Sequence, residues 1–249
     1  MINLKHLLSI HQKYFGQFLF GSHSFPINIQ GFKFFVRPRT FDLFILNQVI
    51  EEKCCQPAIK LKKEKISLIV DLGAHLGSFS IWANQTFRPQ KIIAVEMEKD
   101  NLRLLRQNIA ANGLSDKIKI IDKAIYSQST KMKIKRRLFD TGGHQLNDSN
   151  RNQQEEVETI NLAQLIKENR IKKIDFLKID IEGAEKHLLT SQNKNIFKHQ
   201  VGRLFMEIHS FTGLNEDLVK DYFEKLGFKT NINKQFHLTS FLIEAIKNP

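Results

Sequence analysis

Apolar residues at the start of the chain recur near a 3.6-residue period: Leu4, Leu7 and Leu8, then Phe15, Phe18 and Leu19. This spacing predicts a helix over 3–20. Two short runs at 25–30 and 32–37, joined around Gln30-Gly31, predict a hairpin. Thr40 stands as an N-cap for a helix over 41–52, with Phe44, Ile45 and Val49 on one face. From Ile66 the pattern alternates strand and helix: strand 66–71, helix 77–86, strand 91–96, helix 99–112, strand 117–121. In the second of these helices Leu102, Leu105 and Ile109 point inward, and Asn112-Gly113 supplies the stop. Residues 124–160 break the rhythm, with a strand-like run at 131–135, then Thr141-Gly142-Gly143-His144 and a polar run over 148–156. A connection this long and polar reads as a substrate lid or a disordered segment. Order returns with strand 157–160, helix 161–169, strand 174–180, helix 184–195, strand 201–209, helix 215–226 and closing strands 228–232 and 236–246. Alternation of this kind implies a largely parallel sheet. The expected division is an N-terminal extension over 1–65 (helix, hairpin, helix, linker) and a main α/β domain over 66–249.

With 249 residues, 41% hydrophobic and 26% charged, the chain can bury one full α/β core. No uninterrupted apolar stretch reaches the roughly 18 residues of a membrane span. The N-terminus lacks the charge, apolar run and cleavage site of a secretory signal. Cys54 and Cys55 are adjacent, without a C-x-x-C partner, and support neither a disulfide framework nor a zinc site. A reducing, cytoplasmic setting is therefore expected. The net charge of +12 gathers at 60–65, 131–137 and 172–173. Such a surface attracts phosphates, whether of nucleic acid or of lipid headgroups, and also fits a plain solvated lysine face. The polar side of helix 3–20 carries only Lys5 and Lys13, so packing on the body is expected over weak peripheral membrane contact.

The run from Ile66 to Ser80 changes the picture most. An apolar strand leads to Asp71, then to a turn bearing Gly73, Ala74, His75 and Gly77, then to a helix. This is the layout of a nucleotide-type cofactor site at a strand's carboxyl end. A carboxylate before the first glycine repels pyrophosphate but suits a cationic, phosphate-free cofactor such as S-adenosylmethionine. The second strand ends in Glu96, placed to accept hydrogen bonds from a ribose diol. Asp122, after the third strand, is a further candidate for cofactor contact. Downstream, alternation along Asp175–Glu185 sets Lys178, Asp180 and Glu182 on one side, with Asp180 at the strand tip. A lysine inside an apolar strand needs an acidic partner. On the strand over 201–209, Glu207 and His209 share parity. His209 is the first candidate for a general base, because its reference pKa near 6.5 suits the task, and Asp180 is the second. Glu207 completes the catalytic set. The acids with His209 also read as a divalent-cation site, but no ligand spacing compels one and no metal is assigned.

These runs, Asp71–Ser80, Glu96, Phe176–Glu185 and Glu207-Ile208-His209, resemble the FkbM family of S-adenosylmethionine-dependent methyltransferases, over about 66–230. Gly142-Gly143-His144 resembles that family's glycine pair before the fourth strand, and Arg37-Pro38-Arg39-Thr40-Phe41-Asp42 its Arg-to-Asp segment. His75 stands where the family more often has asparagine, and Met97 where proline is usual. The resemblance implies a Rossmann-like, seven-stranded, mostly parallel methyltransferase sheet with helices on both faces. It implies S-adenosylmethionine as cofactor and methylation of a hydroxyl on a sugar, glycan or secondary metabolite. Lys178, Glu182, Gly142, Gly143, His144 and Arg37 become candidates for substrate contact. Two other readings stay open: an RNA methyltransferase that uses the basic surface, and a non-catalytic binding module on the same fold. The turn lacks the G-x-G-x-x-G spacing of hydride-transfer enzymes.

Overall fold

Leu68-Ile69-Val70-Asp71-Leu72 is apolar and rich in β-branched residues, and all but Leu68 are buried, as in a central parallel strand. The computed structural model describes residues 21, 23–51, 54–55, 65–135, 145–146, 154–237 and 240–247. The helix expected over 3–20, and Gly142, Gly143 and His144, lie outside them.

Strands β1 (Phe25–Ile29) and β2 (Phe32–Val36) form the expected hairpin, followed by α1 (Asp42–Leu46), which widens into a π-turn over Asn47–Glu51. Then come β3 (Leu68–Leu72), α2 (Ser78–Phe87), β4 (Lys91–Glu96), α3 (Lys99–Ala111) and β5 (Ile118–Asp122). Strands β6 (Ala124–Ile125), β7 (Lys131–Lys135), β8 (Gln145–Leu146) and β9 (Gln154–Ile160) precede α4 (Leu162–Glu168) and β10 (Ile174–Ile179). The chain continues through α5 (Lys194–Gln200), β11 (Val201–His209), α6 (Glu216–Lys225), β12 (Phe228–His237) and β13 (Ser240–Lys247).

The main sheet has seven strands in the order β12-β13-β11-β10-β3-β4-β5. From β11 to β5 all pairs are parallel, while β13 and β12 each run antiparallel to their neighbour. Connections leave β3 in one direction through β4 and β5, and β10 returns on its other side. Such a switch point opens a crevice at the carboxyl ends of the strands. The face carrying α2 and α3 buries Phe79, Ile81, Trp82, Leu102, Leu105 and Ile109, and the hairpin's Phe34 and Val36 join this core. The other face is covered by α4, α5 and α6 through Leu165, Phe197, Val219 and Phe223. Two asparagines tie the hairpin to α3. Asn108 Oδ1 accepts from Phe35 N at 2.6 Å, and its Nδ2 donates to Leu76 O at 2.9 Å; Asn112 bridges both backbone groups of Lys33.

Three expectations are corrected. No α-helix forms over 184–195. Glu182 (φ 52°) and Gly183 (φ 102°) turn the chain through left-handed conformations, the Glu185 carboxylate bonds back to Gly183 N, and short 3-10 turns at Glu185–His187 and Ser191–Asn193 precede α5. β12 is longer than expected and β13 starts later, because a register shift between Asn233 and His237 absorbs the irregularity without breaking β12. The described parts of 124–160 are strands, in a second sheet of order β6-β9-β7-β8; Thr159 Oγ1 there donates to Gln128 O at 2.7 Å.

Candidate active site

The turn after β3 has three left-handed residues, Gly73 (φ 79°), His75 (φ 51°) and Gly77 (φ 93°). Asparagine and histidine are among the few side chains that tolerate this conformation, so His75 meets the same backbone demand as the asparagine usual there. A Cβ on Gly73 would lie 1.7 Å from the carbonyl oxygen of Asp180, so only glycine lets the exits of β3 and β10 meet. At Gly77, the N-cap of α2, a Cβ would meet Leu105 Cδ1 at 2.8 Å. Glu96 sews the turn to the tip of β4: its Oε2 accepts from His75 N at 2.7 Å, and its Oε1 from Met97 N and Glu98 N, each at 2.9 Å. Burial pushes the Glu96 carboxyl up, and these three N–H groups oppose it.

Asp71 is fully buried and is not part of the cavity wall, which corrects the expectation of direct cofactor contact. Ser80 Oγ donates to it at 2.7 Å, and Lys178 Nζ stands 3.5 Å away. Lys178 also faces Asp180 at 3.2 Å and donates to Gly73 O at 2.8 Å. The acidic partner that the sequence demanded for Lys178 is thus a pair, and the lysine joins β3, the glycine turn and β10. Burial disfavours its charge, but Asp180 and Asp71 outweigh that and raise its pKa. Burial likewise pushes Asp180 up, yet Lys178 and His209 hold it below the usual carboxylate range.

On β11, His209 is held by acids at both ring nitrogens. Nδ1 lies 2.9 Å from Glu185 Oε1, Nε2 lies 3.3 Å from Glu182 Oε2, and Glu207 Oε1 is 3.8 Å away. Burial would lower its pKa, but the Glu185 bond and the charges of Glu182, Glu185 and Asp180 raise it to about 10. Both ring nitrogens face carboxylates, so neither is turned to an acceptor hydroxyl, and the first-choice base is corrected on that geometry. Glu207 behaves oppositely. Burial, then the Asp180 charge, push its carboxyl up to about 7, against His209, Ser240 and Lys178. Ser240 Oγ donates to its Oε1 at 2.6 Å, and among the described residues its Oε2 has no hydrogen-bond partner. Asp180, Glu182 and His209 offer ligand atoms within 4.8 Å of one another, the one such group of three among the described residues.

A cavity of about 400 Å³ runs along the carboxyl ends of β4, β3, β10 and β11 and the amino end of the antiparallel β13, a span of roughly 19 Å at strand spacing. Gly73, Ala74, His75 and Glu96 line it, as do Lys178, Asp180, Glu182, Glu207 and His209. Arg37 does not. Its guanidinium forks onto Asp42 at 2.9 Å, donates to Asn101 Oδ1 at 2.8 Å and lies 3.2 Å from His75 Nε2, so it fixes α1 against α3 and the turn. Asp122 is exposed, paired with Arg106 at 3.3 Å, and does not line the cavity, although Lys123, Ala124 and Ile125 just after it do. Sequence reasoning missed Ser240, which the β11–β13 register sets opposite His209, and the wall from Phe41 to Val49. It quoted Glu185 in the motif without seeing that a turn carries it to His209.

The sequence profile described as the methyltransferase FkbM domain matches residues 71–230. The chain belongs to the FkbM methyltransferase family. A solved FkbM methyltransferase from Methylobacillus flagellatus KT is similar at 14% identity and TM-score 0.50, covering 75% of this chain and 45% of that one. At that identity the likeness shows the fold. TYW2 of M. jannaschii, solved with AdoMet, is similar at 14% identity and TM-score 0.48 over 91% of this chain and 87% of that one. TrmK of M. capricolum, solved with S-adenosylhomocysteine, is similar at 15% identity and TM-score 0.47 over 82% and 68%. No curated protein matches the chain. The enzyme is an S-adenosylmethionine-dependent methyltransferase, and the cavity's residues fit that cofactor. Gly73 leaves bare backbone beside the Glu96 carboxylate. Lys123, Lys178 and His209 line the cavity and are each ion-paired, so the walls suit a sulfonium and give pyrophosphate no free cation.

Proposed function

We propose that the enzyme methylates a hydroxyl oxygen of a small molecule or glycan, with Glu207 as the general base. The observation that carries this reading is Glu207 on the cavity wall with its Oε1 held by Ser240 Oγ at 2.6 Å, and burial pushes that carboxyl up to about 7. Bound S-adenosylmethionine supplies an electrophilic methyl on a sulfonium. An alcohol is a weak nucleophile at neutral pH, and a positioned base is worth roughly 10²–10⁴-fold. Ser240 orients Glu207 through Oε1, which leaves Oε2 to take the hydroxyl proton as oxygen approaches the methyl group. His209, held by Glu185, keeps a positive charge 3.8 Å from Glu207 that steadies the carboxylate between turnovers. Lys178 acts through position, fixing Gly73 and Asp180 so that cofactor and acceptor align. We place the enzyme in the cytoplasm, a reading supported by the free thiols of Cys54 and Cys55. No described helix is long and apolar enough to cross a membrane.

The test is product analysis. Methyl-labelled S-adenosylmethionine is incubated with the enzyme and a panel of alcohols and glycosides, and methylated products are characterised by NMR. A methyl ether supports the reading; methylation on nitrogen or carbon overturns it.

A further inference from the structure

The chain carries a net charge of +12, yet the acceptor end of its cavity has the opposite character. Glu182, Glu185 and Glu207 stand 2.9–3.8 Å from His209, and Asp180 and Asp71 flank Lys178 at 3.2 and 3.5 Å. Asp180, Glu182 and Glu207 line the cavity, with Glu185 and Asp71 buried behind its wall, so five acids surround the two cations. Lys123, the other lysine on the cavity wall, stands 3.5 Å from Glu158. A phosphate or carboxylate entering here would shed its hydration with no free cation among the described residues to replace it.

Facing the acids is an apolar wall. The helix α1 and its π-turn contribute Phe44, Ile45 and Val49, and β11 and β13 contribute Phe205 and Leu242. The rim carries Phe41 and Phe211, which are 53% and 58% exposed and make up two of the three large apolar side chains left open among the described residues. Phe211 is seated, with its ring 5.4 Å from that of His209. It also covers Gly183, where a Cβ would come within 2.5 Å of the ring. Open aromatic surface at the mouth of a polar-floored cavity marks where an apolar ligand body lies.

We infer that the methyl acceptor is an uncharged hydroxyl compound with an apolar body, which lies on Phe41, Phe211 and the α1 wall, and that phosphorylated or otherwise anionic acceptors are rejected by the acids around His209. This rests on methyl transfer taking place in this cavity. It distinguishes the outer surface, which attracts phosphate, from the reacting pocket, which repels it.

The test is binding of three matched probes to the enzyme saturated with S-adenosylhomocysteine: glucose, 4-nitrophenyl β-D-glucoside and the 6-phosphate of that glucoside. The aryl glucoside is expected to bind at least about tenfold tighter than glucose, and its 6-phosphate at least about tenfold weaker than the parent. Glu182→Gln is expected to narrow the phosphate penalty about threefold or more. The Phe41→Ala/Phe211→Ala double variant, altered only at exposed rings, is expected to bring the aryl glucoside close to glucose. A phosphate that binds as well as its parent overturns the inference, as does an aryl group that adds no affinity. A ranking reversed by added Mg²⁺ also overturns it, by assigning Asp180, Glu182 and His209 to a cation that recruits phosphate. Calorimetry of S-adenosylhomocysteine on the same sample separates the two levels. Absence of its binding removes the methyltransferase reading itself, whereas its binding with the wrong probe order removes only the acceptor class.

Discussion

Glu207 and His209 stand two residues apart on one strand, and their surroundings exchange the protonation behaviour that each type shows in water. Three acids, Glu185, Glu182 and Asp180, hold the histidine's pKa up, while burial and one neighbouring acid push the glutamate's up. Strand alternation made their shared face legible, but the charge states were not. They depend on Glu185, delivered by a left-handed turn, and on Ser240, delivered by the last hairpin. Glu207→Gln is expected to lower turnover by roughly 10²–10⁴-fold with cofactor affinity unchanged. The groups facing Glu207 are Asp180, His209, Lys178 and Ser240, and none of the other three titratable ones changes charge near neutrality. Activity should therefore fall as pH drops through about 7, along an acid limb that the variant lacks. His209 gives a stability test of defined sign. Its folded pKa of about 10 lies above the reference 6.5, so its stabilisation is complete below about 6.5 and lost as pH rises through 10. Between pH 7 and 10 the urea midpoint of the wild type should decline more steeply than that of His209→Gln.

At the scale of elements, the β3–turn–α2 unit was readable because each part has a local cause. Apolar β-branched residues make the strand, left-handed positions need glycine or a tolerant residue, and Glu96 accepts from His75 N of the turn and from Met97 N and Glu98 N beyond β4. The segment after Asp180 was not readable. Its apparent helical period lost to the φ of Glu182 and Gly183 and to the bonds of Glu185, all set by what β11 brings alongside. Gly73→Ala should abolish S-adenosylhomocysteine binding, because β3 and β10 must part to relieve a 1.7 Å overlap. Binding equal to wild type, measured by calorimetry on folded protein, would contradict this picture of the crevice. Asn108→Ala should cost about 1–3 kcal/mol in urea unfolding, since it orphans backbone groups of Phe35 and Leu76 that water does not reach. Arg37, expected at the substrate, belongs to the same joint: a segment motif identified it, but only the packing of α1 on α3 shows that it acts through Asp42, Asn101 and His75.

At the scale of the whole molecule, the largely parallel sheet followed from the alternation of strand and helix and its seven strands from the family resemblance, while net charge says little about the cavity. A +12 surface gives encounter with polyanions, yet the crevice at the strand ends gathers acids around Lys178 and His209. Generic RNA should therefore bind at low salt, release steeply as ionic strength approaches physiological, and receive no label from methyl-labelled S-adenosylmethionine. A filter-binding and label-transfer series measures both, and label in the RNA would make the basic surface part of the catalytic apparatus. The N-terminal hairpin and α1 share the core of the sheet, and α1 with its π-turn lines the cavity, so residues ahead of the matched family region form part of its wall. The central claim is that this crevice holds a carboxyl poised to deprotonate an alcohol. It is tested most directly by a ¹³C-carboxyl NMR titration of glutamate-labelled enzyme with S-adenosylhomocysteine bound, with the Glu207 signal assigned by its loss in Glu207→Gln. A midpoint near 7 is the expected result, and a midpoint at or below the ordinary 4.5 would contradict it.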